Sequence, residues 1–313
     1  MSNFGSLISK YSGFSALVEL SKKWKFPGHR NLSLYNVLSF LLNEMQRDDI
    51  IQRSASVAFS LFVSLFPTLL VAFTIIPFLP IPSFQDTVMS TMRQMMPDNA
   101  FELLQSTIKD IITNDRADLL SISIVLAIYY SSRGVLSLMN SFDKALPTFR
   151  KRTYWQNQGV AFKLMALLWS LLAFSVVLII GGEWLVKLVM KVLHLERDDL
   201  FIWFNIVRWL FIVLIYYFSI SLIYYYGPAK HERWRFFTAG STLATILLML
   251  VSILYSWVIN QFGAYNKLYG SIGAVLITQL WFYYNALGLL IGFELNAAIE
   301  VNENNLTAAT KVE

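Results

Sequence analysis

Arg133 stands inside an otherwise apolar run of this 313-residue chain, SISIVLAIYYSSRGVLSLMN. A charge at membrane depth costs roughly 3 kcal/mol or more, so it is expected to face the interior of a helix bundle. There it has two uses: to hold an anion or lipid headgroup, or to tie helices together through carbonyls. Tyr129, Ser132, Ser137 and Asn140 fall on the same helical stripe, which makes Arg133 part of a polar strip. Ser64 and Asn285, in two other apolar runs, complete the candidate substrate-binding set. Glu294 is the candidate counter-ion of Arg133, and a place at the inner interface is its other destination.

Other chemistries lack their residues. The three histidines, His29, His194 and His231, sit in different connecting segments, and there is no cysteine. No phosphate-binding loop, nucleophile elbow or paired-histidine zinc helix is present, so neither ATP-driven work nor familiar hydrolysis is encoded locally. Met89, Met92, Met95 and Met96 invite a copper(I) reading, but with no other soft ligand they read as an adaptable apolar face. No catalytic residue, metal site, cofactor or nucleic-acid partner is expected. The expected partners are membrane lipids and an anionic or amphipathic small molecule. The small-residue stripes are compatible with an oligomer without specifying one.

The elements that position these groups follow from hydropathy. The chain is 56% hydrophobic and 14% charged, with a mean hydropathy of +0.53, which marks an integral membrane protein. Six apolar segments reach the roughly 20 residues that a crossing helix needs. They are 54–78, 119–140, 160–182, 201–226, 237–259 and 272–298, giving an all-α membrane domain over 54–299. Ser56, Ser60 and Ser64 form a narrow stripe on the first, and Pro67 is expected to bend it. Lys163 in the third and Arg208 in the fourth lie near enough to ends to snorkel, although Asn205 and Arg208 also suit a polar lining. Ser241, Thr245, Ser252, Ser256 and Asn260 stripe the fifth. In the sixth, Thr278, Asn285, Gly288, Gly292 and Asn296 share one face, and Gly288 and Gly292 form a small-xxx-small contact surface.

Around this domain, residues 1–53 read as cytoplasmic interfacial helices, with Phe4, Leu7, Ile8 and Tyr11 on one apolar stripe before a basic cluster. Residues 81–118 read as an amphipathic helical outer loop, and 300–313 as a cytoplasmic tail. Segments on the side of the termini carry about twice the Lys and Arg of those opposite, which places both termini in the cytoplasm. The net charge of +5 is then an attraction to anionic lipid at the inner face. No signal peptide is expected, because the first long apolar run begins only near Ala55.

Three stretches resemble the YihY/virulence factor BrkB family of bacterial inner-membrane proteins, historically labelled ribonuclease BN. They are ASVAFSLFVSLFP from Ala55 to Pro67, SSRGVLSLMN from Ser131 to Asn140, and YGSIGAVLITQLWFYYNALGLLIGFELNAAIE from Tyr269 to Glu300. The resemblance covers roughly residues 35 to 300. It implies six spans with both termini inside, and recurrent positions at Ser64, Pro67, Arg133, Gly134, Tyr269, Gly270, Gly292, Glu294 and Asn296. Asp143 stands where the family pattern has asparagine, and Thr238-Ala239-Gly240 replaces Pro-Gly-Ala before the fifth span.

The expected function is transport-like: moving or flipping an amphipathic or anionic molecule, with Arg133 on the anionic part. Pro67, Gly288 and Gly292 would supply the moving contacts. A non-transporting scaffold or envelope-assembly factor is the alternative, and a membrane ribonuclease a distant third.

Overall fold

The computed structural model describes residues 49–78, 117–143, 148–193, 197–261 and 266–310, with single positions between 35 and 114. Nearly all of the expected surface helices before residue 49, most of the outer loop with Met92, Met95 and Met96, and the side chains of Asn205 and Arg208 lie outside the described residues. Six long helices account for nearly all the rest, and there are no strands among the described residues. They are α1 (Ile50–Thr74), α2 (Ala117–Asn140), α3 (Tyr154–Leu193), α4 (Arg197–Tyr226), α5 (Ala239–Gln261) and α6 (Asn266–Thr310). Each contains a stretch long and apolar enough to cross a membrane. The chain is an all-α, multi-pass membrane protein.

Helix ends differ from the hydropathy windows for local reasons. α1 starts four residues earlier than its apolar run, behind Asp49, whose backbone is left-handed (φ 44°) and whose carbonyl accepts from the amides of Gln52 and Arg53. It passes through Pro67 without a break and ends in a 3₁₀ turn, Ile76–Phe78. Ser54, Ser64, Thr68 and Thr74 donate to carbonyls of their own helix, which hides their hydroxyls in an apolar setting. At α5 the departure from Pro-Gly-Ala has a use. The Thr238 hydroxyl accepts from the Ser241 amide at 3.1 Å while the Ser241 hydroxyl accepts from the Thr238 amide at 3.0 Å, a reciprocal cap.

Each helix packs chiefly on its two neighbours in the chain, and α6 returns to α1, so the six close into a ring. The ring has two unlike ends. At the end where α1 begins and α6 finishes, called here the terminus side, the core is continuous: Val57, Ala58, Leu138, Met139, Ile220, Tyr224, Ala244, Leu290 and Phe293 are buried together. On the far side, large apolar residues stand exposed, as on a lipid-facing surface: Val207, Trp209, Leu210 and Phe211 on α4, and Ile253, Leu254, Trp257 and Ile259 on α5. Tyr255 still meets Thr278 and Trp281 there, joining α5 to α6.

Candidate functional site

On α2 the predicted strip is split: Ser132 is buried and donates to the Tyr129 carbonyl at 2.8 Å, and the rest does not turn inward. Tyr129, Arg133 and Asn140 are exposed, Ser137 is half-buried, and the Arg133 guanidinium lies 5.9 Å from the centre of the Tyr129 ring. The face of α2 that meets α1 is taken by Gly134, where a Cβ would lie 3.0 Å from the Leu61 side chain and 3.7 Å from the Ser60 carbonyl. Close packing at Gly134 puts its neighbour Arg133, about 100° round the helix, on the outside. The expectation of an inward Arg133 is therefore corrected. Seven residues separate Arg133 from Asn140, so it sits about 10 Å above the helix end, within reach of a headgroup layer for a side chain that snorkels. The outer half of the same face is apolar, with Ile122, Val125 and Leu126 exposed.

Ser64 and Asn285, from the rest of the predicted set, bond within their own helices. Ser64 is half-buried and donates to the Leu61 carbonyl at 2.6 Å; Asn285 is half-buried and donates to the Trp281 carbonyl at 2.7 Å. Pro67 is buried. Gly288 and Gly292 face α5, as small-xxx-small spacing requires. A Cβ on Gly288 would meet Leu248 at 2.8 Å, and one on Gly292 would meet Ala244 at the same distance and lie still nearer the Gly240 carbonyl and the Tyr224 hydroxyl. Asn296 completes that contact by accepting from the Gly240 amide at 2.8 Å and donating to the Thr238 hydroxyl at 3.0 Å.

Glu294 is buried, and its partner is Arg53, at 3.4 Å between Nη1 and Oε1, instead of Arg133. The second arm of Arg53 donates to the Ser141 carbonyl, just past the end of α2, so one guanidinium spans α1, α2 and α6. Sequence reasoning passed over Arg53 because it precedes the apolar run. The available signal was its place one helical turn before the buried Val57, on the face that packs inward.

Arg53 opens a chain of alternating charge across the terminus side. Asp143 feels both Arg53 and Arg152; desolvation is the larger influence and raises its carboxyl above the usual value. Arg152 caps α4 by donating to the carbonyls of Tyr226 (3.1 Å), Gly227 (2.8 Å) and Pro228 (2.8 Å), where a helix leaves acceptors unpaired. Burial, and then the neighbouring Arg150, lower its pKa, which Asp143 opposes. The loop carrying Arg150 pairs with the α4–α5 loop through a bridge between Phe149 and Lys230. Lys230 is itself buried, 2.5 Å from Glu300 and 4.3 Å from the centre of the Trp234 ring, and Trp234 donates to the same carboxylate at 2.9 Å. Inside this collar, aromatic rings fill the axis of the ring. Phe142 stacks on Phe293 at 4.6 Å, and Tyr224, Phe149 and Trp234 pack edge-on or tilted around the pair.

The match to known proteins runs over the same segments. Residues 41–312 fit the model of the family described as virulence factor BrkB. The putative ribonuclease-like protein YfkH of Bacillus subtilis is 28% identical over 79% of this chain and 89% of its own length. The UPF0761 membrane protein MS0032 of Mannheimia succiniciproducens is 24% identical over 84% of this chain and 91% of its own. No solved structure matches. Because the family match takes in all six helices, together with the Arg53–Glu294 pair and the aromatic plug, the chain belongs to the virulence factor BrkB family.

Proposed function

We propose that this protein moves an anionic amphipath between the leaflets of a bacterial inner membrane, taking the molecule sideways from the lipid. The supporting observation is the exposed Tyr129–Arg133–Asn140 strip of α2. A cation left on a lipid-facing surface is costly unless something anionic meets it, and a headgroup phosphate or carboxylate at this depth does so while its chains stay in hydrocarbon. The apolar outer half of the same face suits those chains. No nucleotide site is in the sequence to drive the movement, so it follows a gradient.

The test is a flipping assay in vesicles holding the purified protein and a fluorescent anionic phospholipid, with an impermeant quencher outside. Wild-type protein is expected to speed loss of protected fluorescence over empty vesicles. Arg133→Gln is expected to slow it by roughly tenfold or more, the worth of one charge-assisted contact. Equal rates with and without protein, for anionic and zwitterionic probes alike, overturn the proposal.

A scaffold role is the second reading. The polar groups of α5 and α6 favour it, since Asn296, Thr238 and the Tyr255–Thr278 hydroxyl pair join helix to helix. Ribonuclease-like is the printed description of the Bacillus relative. Support for such an activity here is thin, because no group of three metal-ligating side chains stands together among the described residues.

A further inference from the structure

Arg53 grips two backbone neighbourhoods that adjoin the two stacked rings of the plug. Ser141, whose carbonyl it holds, precedes Phe142; Glu294, whose carboxylate it meets, follows Phe293. The rings of Phe142 and Phe293 stack on each other between the end of α2 and α6 and are wholly buried. One side chain from α1 thus fixes the end of α2 and the middle of α6 with the plug between them. We propose that Arg53 is the latch of a gate on the terminus side: while its guanidinium holds both partners the stacked rings stay closed, and its release lets α2 and α6 part.

Three features favour a latch over ordinary packing. Arg53 keeps about a fifth of its side chain exposed, whereas Glu294 has none, so solvent or a ligand reaches the pair from the arginine side. Asp143, whose carboxyl feels the Arg53 charge, is a second carboxyl near the guanidinium. The other terminus-side ties fasten different parts. Arg152 holds the end of α4, the Lys230–Glu300 pair joins the α4–α5 loop to α6, Asn296 holds the start of α5, and Tyr224 ties α4 to the Leu289 carbonyl of α6; among the ties named for the described residues, Arg53 alone bonds both the end of α2 and α6. The purpose assigned to the gate rests on the transport reading above, but its existence is measured separately.

The natural chain has no cysteine, so single cysteines at the buried Ser54 and Ser132 report opening. Each is treated with a membrane-impermeant thiol reagent applied to the terminus side of oriented vesicles, with Lys151→Cys as the exposed control. In the otherwise wild-type protein both probes are expected to react slowly. Arg53→Gln is expected to raise their labelling rate by roughly tenfold or more, the release of one buried ion pair. Arg53→Lys keeps the charge but cannot grip two partners in a fork, and it is expected to do nearly the same. If Arg53→Gln does not fold, Arg53→Lys with Glu294→Gln carries the test. Unchanged labelling in folded Arg53 variants overturns the latch and leaves the Arg133 assay untouched. Raised labelling with no flipping by wild-type protein keeps the gate and removes the transport reading.

Discussion

Single residues show where hydropathy misleads. Arg133 and Arg53 are both cations on membrane helices, yet the one deep in the apolar run is exposed and the one before the run is at the centre of the packing. Hydropathy weighs what a segment costs to insert and carries no sign of which side each residue faces. Gly134 decided the face, and only its close approach to Leu61 shows that. Asp143, flagged in the sequence as a departure, stands between Arg53 and Arg152, and burial raises its carboxyl pKa. An acid whose pKa is higher folded than unfolded binds more protons in the folded state, so its contribution to stability falls as pH rises from about 3.8 through the raised value. Asp143→Asn should therefore raise the melting temperature at neutral pH, and the gain should shrink as pH is lowered toward 4. A thermal-shift series in detergent between pH 4 and 8 checks it; a variant less stable at every pH would mean that the attraction to the two arginines outweighs desolvation.

At the scale of elements the sequence was most readable, because a membrane helix needs only length and apolar content. Six spans are found where six were expected, and the glycine stripe of α6 meets α5 as its spacing required. The ends were less legible. α1 and α6 extend beyond their apolar windows: Asp49 accepts from the amides of Gln52 and Arg53 at the start of α1, while Arg53 and Glu300 are held by contacts that arise only when distant segments meet. The α5–α6 contact makes a paired prediction. Gly292→Ala places a methyl 2.8 Å from Ala244 and closer still to backbone, so the helices must separate, at a cost of about 1–3 kcal/mol. Gly159→Ala, on the exposed first turns of α3 with nothing within 4 Å, removes a flexible residue from a helix and should stabilise by up to about 1 kcal/mol. Unfolding of the two variants in parallel separates packing from helix propensity, and equal effects would mean that α5 and α6 do not meet through Gly292.

For the whole molecule, what the sequence did not reveal is the aromatic plug on the terminus side. The plug is assembled from Phe142, Phe149, Tyr224, Trp234 and Phe293, five aromatic residues from five places in a chain that is 15% aromatic, and no spacing rule links them. On the proposed reading, the compartment that the terminus side faces decides which leaflet would supply a headgroup to Arg133. The described loops on that side, 148–153 and 227–238, carry Arg150, Lys151, Arg152, Lys230, Arg233 and Arg235 against Glu232 alone. Tyr154 and Trp155 stand exposed beside them, as residues of a membrane interface do. This bias is expected to hold the terminus side in the cytoplasm. A single cysteine at Lys151 should then resist an impermeant thiol reagent added to intact cells and react once the inner membrane is opened. Reaction in intact cells, with the outer membrane made permeable, would reverse the direction: Arg133 would lie in the outer half of the membrane, the latch would close the outer face, and the amphipath would be loaded from the opposite leaflet.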